Sequence, residues 1–412
     1  MRVLSIGQSG RRRLDQQELT IDERKPMPDS PKRILIVAGE ASADRYGAKL
    51  VQQLRSLHRD DCVYFYGTGG DEMEAAGVHL YCHVRELAHI GAREALTSLR
   101  TYYRTYRRLV HKCVEAPPQA AVLLDFPDFN LRLAKKLKRL GIPVIYYISP
   151  QVWAWRSGRV RTIREYVDRM LVILPFEEEY YRERGIEVEF VGHPLLEDFR
   201  PDYNRDSFLK SLHLDPDRRT VAILAGSRRK EIDYILPVLL RAGQLLAQEI
   251  PVQFVISAAP TVDADHIKSV LETTLRDDPC RDLYRISSRN SRDILANSDF
   301  AFVKSGTSSL EAALIGVPFL IAYKISPLSW YVGSILIRSS MKGLVNLIAK
   351  ERIVPELFQN EAEPQRLAQL ALKYLGKTGE ADAMRSQLAR IREQLSTRCA
   401  SATVAATVSR YL

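Results

Sequence analysis

Twice along this chain an apolar run ends in a turn of small and hydroxyl residues that passes at once into a helical pattern. This strand-turn-helix unit constrains the fold more than any other feature. One copy is Val221-Ala-Ile-Leu-Ala-Gly-Ser-Arg-Arg-Lys-Glu231; the other is Asp299-Phe-Ala-Phe-Val303 followed by Lys304-Ser-Gly-Thr-Ser-Ser-Leu-Glu311. Strands joined by crossover helices run parallel, so a doubly wound α/β sheet is expected. Such sheets bind ligands outside the carboxyl ends of their strands, where both turns fall. Backbone N–H groups at a helix start, with Gly306 allowing close approach and Ser305, Thr307 and Ser308 adding donors, suit a diphosphate. Glu311 lies one turn further in, where a carboxylate can hold the two hydroxyls of a ribose. Gly226 and Ser227 repeat the turn, with Arg228 as a bidentate phosphate donor. Either turn alone reads equally well as an N-capped helix; the pair favours a nucleotide diphosphate.

At 412 residues and 46% apolar content the chain is long enough for two α/β domains, each with its own core. The first set of strands is expected at Arg33–Val37, Val63–Tyr66, Ala120–Leu124, Val144–Ile148, Met170–Leu174 and Val188–Val191. The second is expected at Val221–Leu224, Gln253–Ser257, Leu283–Ile286, Phe300–Val303 and Phe319–Tyr323. Pro194 and Pro201 bracket a segment that continues neither sheet. The expected organisation is a disordered tail (1–32), a first Rossmann-like domain (33–194), a linker (195–204), a second Rossmann-like domain (205–375) and C-terminal helices (376–412) packing back on the first. The five cysteines are scattered, with no C-x-x-C pair, and fit a reducing cytoplasm.

The formal net charge of +10 is concentrated. Arg85, Arg93, Arg100, Arg104, Arg107, Arg108 and Lys112 stand against Glu86 and Glu94 only, with Tyr102, Tyr103 and Tyr106 among them. A basic helix carrying tyrosines suits an anionic membrane surface, and from charge alone it reads equally well as a solvated helix face. It also suits nucleic acid phosphates, but no nucleic-acid motif accompanies it and the two turns would be left without a purpose. Trp330 to Ile348 is the longest apolar candidate, and Arg338 and Lys342 in its middle argue against a lipid span. No signal peptide is readable.

Leu123-Leu-Asp125-Phe-Pro-Asp128-Phe-Asn130 puts carboxylates at a strand end, with Asp125 a candidate general base and Asp128 a candidate helix N-cap; for an isolated aspartate at a strand end, capping is the commoner role. Trp153 and Trp155, just after the next strand, are packing residues or a sugar- and lipid-binding wall. Asp263-Ala-Asp265 has the form of a metal-holding D-x-D element, but an N-cap role explains it, no partner cluster completes a site, and no metal is expected. Gly67-Thr-Gly-Gly70 lacks the spacing of a dinucleotide fingerprint, so no nicotinamide or other cofactor is expected.

Together these pieces resemble the lipid-A-disaccharide synthase family of glycosyltransferases. The likeness rests on Gly39-Glu-Ala-Ser-Ala-Asp44, Leu87 to Leu96, Asp125-Phe-Pro-Asp-Phe-Asn130, Ser149-Pro-Gln-Val-Trp-Ala-Trp-Arg156, Leu174-Pro-Phe-Glu177, Val191-Gly-His-Pro194, Gly226-Ser-Arg228, Ser305-Gly-Thr307 with Glu311, and Asn346-Leu-Ile-Ala349. The resemblance implies a GT-B architecture of two facing Rossmann-like domains with a cleft between them. It implies inverting transfer from UDP-2,3-diacylglucosamine to 2,3-diacylglucosamine 1-phosphate, giving a β-1,6 disaccharide and UDP. On this reading Asp125 and Glu40 are catalytic, and Gly226, Ser227, Arg228, Ser305, Gly306, Thr307, Glu311 and Asn346 bind the nucleotide. Trp153, Trp155 and Arg156 wall the acceptor site. Arg100, Arg104, Arg107, Arg108 and Trp330 dock a cytoplasmic enzyme on the inner face of the inner membrane. A homodimer is left open. Ala43, Lys304, Val345 and Lys350-Glu351 depart from the family pattern without removing a chemical group the reading uses. The alternative on the same fold is a UDP-N-acetylglucosamine-type epimerase.

Overall fold

A computed structural model describes residues 32–58, 63–87, 95–153, 158–325, 341, 343–376 and 379–412. Residues 1–31, and with them the expected tail, lie outside the described residues; Lys32 itself opens the first strand.

In the first unit the strands are β1 (Lys32–Ala38), β2 (Val63–Gly69), β3 (Val78–His83), β4 (Ala120–Leu124), β5 (Val144–Tyr147), β6 (Arg169–Val172) and β7 (Val188–Phe190). Its helices are α1 (Ala41–Leu57), α2 (Asp71–Ala75), α3 (Val84–Leu87), α4 (Ala95–Glu115), α5 (Pro127–Arg139), α6 (Arg159–Tyr166) and α7 (Pro175–Arg182). The second unit has strands β8 (Arg219–Leu224), β9 (Val252–Ser257), β10 (Tyr284–Ser287), β11 (Phe300–Lys304), β12 (Phe319–Tyr323) and β13 (Glu356–Phe358). Its helices are α8 (Arg205–Ser211), α9 (Arg229–Glu249), α10 (Ala264–Thr274), α11 (Ser291–Ala296), α12 (Thr307–Ile315), α13 (Leu344–Ala349) and α14 (Pro364–Leu375), followed by α15 (Glu380–Leu395) and α16 (Ala400–Ser409).

All strand pairings are parallel, in the orders β3-β2-β1-β4-β5-β6-β7 and β10-β9-β8-β11-β12-β13. The strand order reverses between β1 and β4 in one sheet and between β8 and β11 in the other. Ala38 pairs with Leu124 and Leu224 with Val303, so the turns after these four strands sit at the two switch points where open α/β sheets take ligands.

The strands are near-continuous apolar runs because both sheet faces are covered by helices. Ile34 to Ala38, Ala120 to Leu124 and Phe300 to Val303 are fully buried. Each large side chain among them contributes about 1.5–3 kcal/mol of hydrophobic stabilisation. The sequence reading misses β3 and β13. β3 is an edge strand whose Val-His-Leu-Tyr-Cys-His pattern mixes rings and polar groups, and β13 has three residues; neither gives a hydrophobic period long enough to read.

α16 packs on α1, with Val404 and Val408 in one cluster with Leu50, Val51 and Leu54. Ser401 N donates to Glu197 Oε1 (2.6 Å), and Ser409 Oγ and His58 Nε2 share a 2.8 Å hydrogen bond. Asp44, buried in α1, accepts from the backbone N–H groups of Gly70 (2.6 Å), Glu72 and Met73 (3.1 Å each), capping α2 from outside. That explains a carboxylate at the end of Gly39-Glu-Ala-Ser-Ala-Asp44 in structural terms.

Candidate active site

At the first switch point β4 ends in two consecutive left-handed residues, Asp125 (φ 45°) and Phe126 (φ 48°). Left-handed non-glycine residues cost of order 1–3 kcal/mol and persist only where the surroundings hold them. Here Tyr146 Oη donates to the Asp125 carbonyl (2.5 Å), as does Asn130 Nδ2 (2.8 Å), which also reaches the Leu124 carbonyl (3.1 Å). The Phe126 ring then lies over Gly39, where a Cβ would come within 2.3 Å of it. This is why a glycine precedes Glu40. Asp125 and Glu40 thus share one end of a cavity of about 870 Å³. Burial, then the neighbouring Glu40 charge, push the Asp125 carboxyl up to about 6.

The cavity lies between α4 and α5. Tyr102, Tyr106, Phe126 and Phe129 form its apolar wall, with Tyr102–Phe126 and Phe126–Phe129 ring centroids 5.5 and 5.4 Å apart. Arg132, Lys135, Lys136 and Arg139 line it along α5. The tyrosines expected in a membrane stripe thus belong in part to this wall. The only available signal was their i, i+4 spacing opposite Phe126 and Phe129. Asp128 is not an N-cap: Phe126 holds that position, and Asp128, in the first turn, pairs with Arg159 instead.

At the second switch point Gly226 has φ +122°, and a Cβ there would meet Glu231 Oε2 at 2.5 Å. Glu231, largely buried, accepts from Ser227 N (3.2 Å) and pairs with Lys304 Nζ (3.0 Å). Arg228 is the exposed N-cap residue of α9, its side chain 82% accessible and 3.7 Å from Glu231. Gly306 caps α12, leaving Thr307 and Ser308 in the first turn beside Ser305. Glu311, one turn in, accepts from Arg292 Nε (3.1 Å) and Ser291 Oγ (2.8 Å). Arg292 also donates to the Asp198 carbonyl (3.2 Å), and Asp198 pairs with Lys49, so a chain of contacts runs from Glu311 of the second unit to α1 of the first.

Three sequence expectations are corrected here. Asn346, expected at the nucleotide, is fully buried and bonded within the chain, its Nδ2 donating to the Val354 carbonyl (2.8 Å) and Glu356 Oε1 (2.7 Å) while its Oδ1 accepts from Val354 N (3.0 Å). It fastens α13 to the segment leading into β13. Trp153 is not among the residues lining the cavity; its Nε1 donates to Glu177 (3.3 Å) and its ring packs edge-on against Phe176 (5.1 Å). Arg108 turns inward, over the Tyr81 ring (5.0 Å) and onto its carbonyl (3.3 Å), leaving Arg100, Arg104 and Arg107 on the exposed face. Trp155, Arg156 and Trp330 lie outside the described residues. Asp263 caps α10, accepting from Asp265 N (3.0 Å).

Glu177 accepts from Leu174 N (3.1 Å) as well as from Trp153, and burial pushes its carboxyl up to about 8. An unfolded glutamate titrates near 4.3, so between about pH 4 and pH 8 the folded chain holds a proton that the unfolded chain releases. Stability from this group therefore falls as pH rises through that window. Glu177→Gln is expected to flatten the pH dependence and to cost less than the Ala variant, because its amide oxygen still accepts from one of the two donors. Glu177→Ala is expected to cost about 2–4 kcal/mol, because two donors lose their acceptor and a cavity opens. Denaturant titrations at pH 5, 7 and 8.5 check this; a Gln variant as damaged as the Ala variant would contradict it.

Two parallel sheets, each with a switch point and one of these ending in a phosphate-type turn, define a GT-B fold of the kind used by nucleotide-sugar enzymes. Solved structures agree on the fold. The glycosyltransferase of kitacinnamycin superposes with a TM-score of 0.62 at 14% identity, covering 93% of this chain and 99% of that one. The UDP-GlcNAc 2-epimerase from Neisseria meningitidis bound to UDP-GlcNAc gives 0.62 at 11% identity, covering 92% and 100%. Sequence comparison goes further: the family described as lipid-A-disaccharide synthetase matches residues 34–408. The lipid-A-disaccharide synthase of Syntrophus aciditrophicus (strain SB) is 43% identical over 365 residues, 88% of this chain and 94% of that protein. The chain belongs to the lipid-A-disaccharide synthase family and is a glycosyltransferase; the epimerase alternative is set aside.

Proposed function

We propose that the chain joins UDP-2,3-diacylglucosamine to 2,3-diacylglucosamine 1-phosphate, releasing UDP and forming a β-1,6 disaccharide with inversion. The observation that carries the reading is Asp125 at the first switch point, its carboxyl pushed up to about 6 at the end of a cavity with an aromatic wall. A base with that affinity for a proton is ionised at neutral pH yet able to take one from a hydroxyl. Asp125 accepts the proton of the acceptor 6-hydroxyl as that oxygen attacks the anomeric carbon from the face opposite UDP. Glu40, sharing the cavity end, raises the basicity of Asp125.

The UDP diphosphate sits at the turns of the second unit. Arg228, Lys304 and the N-terminal turn of α12 meet the charge that builds on the departing phosphate. Glu231 holds Lys304 at that place. Glu311, fixed by Arg292 and Ser291, takes the ribose hydroxyls through its remaining lone pairs. Incubating the purified protein with both acylated substrates and following the mixture by mass spectrometry tests the reading. A disaccharide phosphate appearing with equimolar UDP supports it; hydrolysed or epimerised UDP-sugar alone overturns it.

Both substrates carry acyl chains, and no helix among the described residues is long and apolar enough to cross a membrane. The enzyme docks on the inner face of the inner membrane through α4, whose outer face presents Arg100, Arg104, Arg107 and a 63% exposed Tyr103. Binding to anionic vesicles is expected to weaken as salt shortens the Debye length below about 10 Å. Replacing Arg100, Arg104 and Arg107 by serine is expected to release the protein while UDP affinity is unchanged. Co-sedimentation insensitive to both salt and substitution would remove α4 from the docking surface.

A further inference from the structure

The cavity beside Asp125 has two chemically distinct sides. One is the wall of stacked rings. The other is a stripe of cations on α5: Arg132, Lys135, Lys136 and Arg139, at positions i, i+3, i+4 and i+7, which fall within about 100° of the helix circumference. Among the described residues no carboxylate pairs with any of the four, and only Lys135 has a ring partner, Tyr166 at 5.4 Å. Lys138, just outside the stripe, pairs with Asp168 in the ordinary way. Like charges three and four residues apart repel, and Asp128, the carboxylate one turn before Arg132 on the same cavity, is paired with Arg159, so the stripe is poised for an anion.

Position narrows the anion. Arg132 lies about 7.5 Å along the helix axis from Pro127, next to Asp125, at 1.5 Å per residue; Lys136 follows one turn later and Arg139 lies about 18 Å away. A sugar whose hydroxyl faces Asp125 therefore carries its far substituent to Arg132 and Lys136. A guanidinium fork and an ammonium on adjacent turns match a phosphate monoester, which presents three acceptor oxygens and close to two charges. The ring wall beside them suits acyl chains and would be wasted on free phosphate.

We propose that Arg132 and Lys136 form the phosphate subsite for the acylated acceptor sugar, fixing its register so that the reacting hydroxyl meets Asp125. This rests on the reading that the cavity takes the acceptor. The other source of the same chemistry is the phosphodiester headgroup of an anionic phospholipid, and the test separates the two.

Steady-state kinetics in neutral detergent micelles, free of anionic lipid, compare wild type with the Arg132→Gln/Lys136→Gln double variant. The acceptor is used with and without its phosphate. The double variant is expected to raise KM for the phosphorylated acceptor by about 10- to 100-fold, as loss of charge-assisted hydrogen bonds does. Its KM for UDP-sugar stays unchanged, which also reports correct folding, and the unphosphorylated acceptor shows no penalty. An equal penalty on both acceptors, or none on either, overturns the subsite. Unchanged micellar kinetics with weakened binding to phosphatidylglycerol vesicles assigns the stripe to headgroups and also overturns it. Titration of the phosphorylated acceptor alone into both proteins keeps the question separate from catalysis. Wild type binding it tenfold more tightly supports the subsite even if no disaccharide forms, in which case the transfer reading alone fails; equal binding overturns the subsite.

Discussion

Asp125→Asn is expected to lower kcat by roughly 10²- to 10⁴-fold, the range for loss of a positioned general base, with UDP affinity unchanged. The amide is nearly isosteric, so Tyr146 and Asn130 keep their bonds to the residue's carbonyl and the left-handed turn survives. The pH profile adds a second signature. With the carboxyl pushed up to about 6, wild-type turnover is expected to rise with pH through that value, and the variant's residual rate to lose this limb. Stability moves the opposite way. An unfolded aspartate titrates near 3.9, so between about pH 4 and pH 6 the native chain binds more protons than the unfolded one, and stability falls as pH rises. The variant escapes that cost and is expected to unfold at a higher temperature than wild type at pH 8. A variant that is both slower and less stable would mean that Asp125 serves the turn and not the chemistry.

The second large effect concerns the nucleotide. Arg228→Ala is expected to weaken UDP binding by about 10- to 100-fold, the worth of a charge-assisted phosphate contact, with unchanged thermal stability because the side chain is mostly solvent-exposed. Glu311 calls for a gentler substitution. Its carboxylate also neutralises the mostly buried Arg292, so Glu311→Ala would confound binding with the cost of an unpaired cation. Glu311→Asp keeps the charge beside Arg292 while drawing the carboxylate back by one methylene, and is expected to cost UDP about tenfold in affinity, as one hydrogen bond to a charged group does. Calorimetric titration with UDP measures both; affinities within twofold of wild type for both variants would place the nucleotide elsewhere.

The parallel architecture was legible because both sheets are buried on both faces, so their central strands read as unbroken apolar runs bounded by small residues. The turns at Gly226 and Gly306 were legible for a related reason: small and hydroxyl residues between a strand and a helix have a local meaning. Asp125 could be placed at a strand end, but its left-handed backbone could not, since Tyr146 and Asn130 hold it from another strand and the following helix. The same limit explains Asn346 and Arg108. Each is a polar residue whose partner, Glu356 or Tyr81, lies in a short strand that pattern did not reveal. Trp153 looked like a ligand wall because nothing local announces Glu177, buried some two dozen positions later, as the acceptor for its indole N–H. What sequence concealed was tertiary pairing; what it displayed was local geometry.

The central claim is a single displacement in which the acceptor hydroxyl, deprotonated by Asp125, attacks opposite UDP. The anomeric configuration of the product tests it most directly. Proton NMR of the disaccharide made from an α-linked UDP-diacylglucosamine is predicted to show a β linkage to the 6-position, formed in step with UDP. An α linkage, or UDP released without disaccharide, would contradict the account.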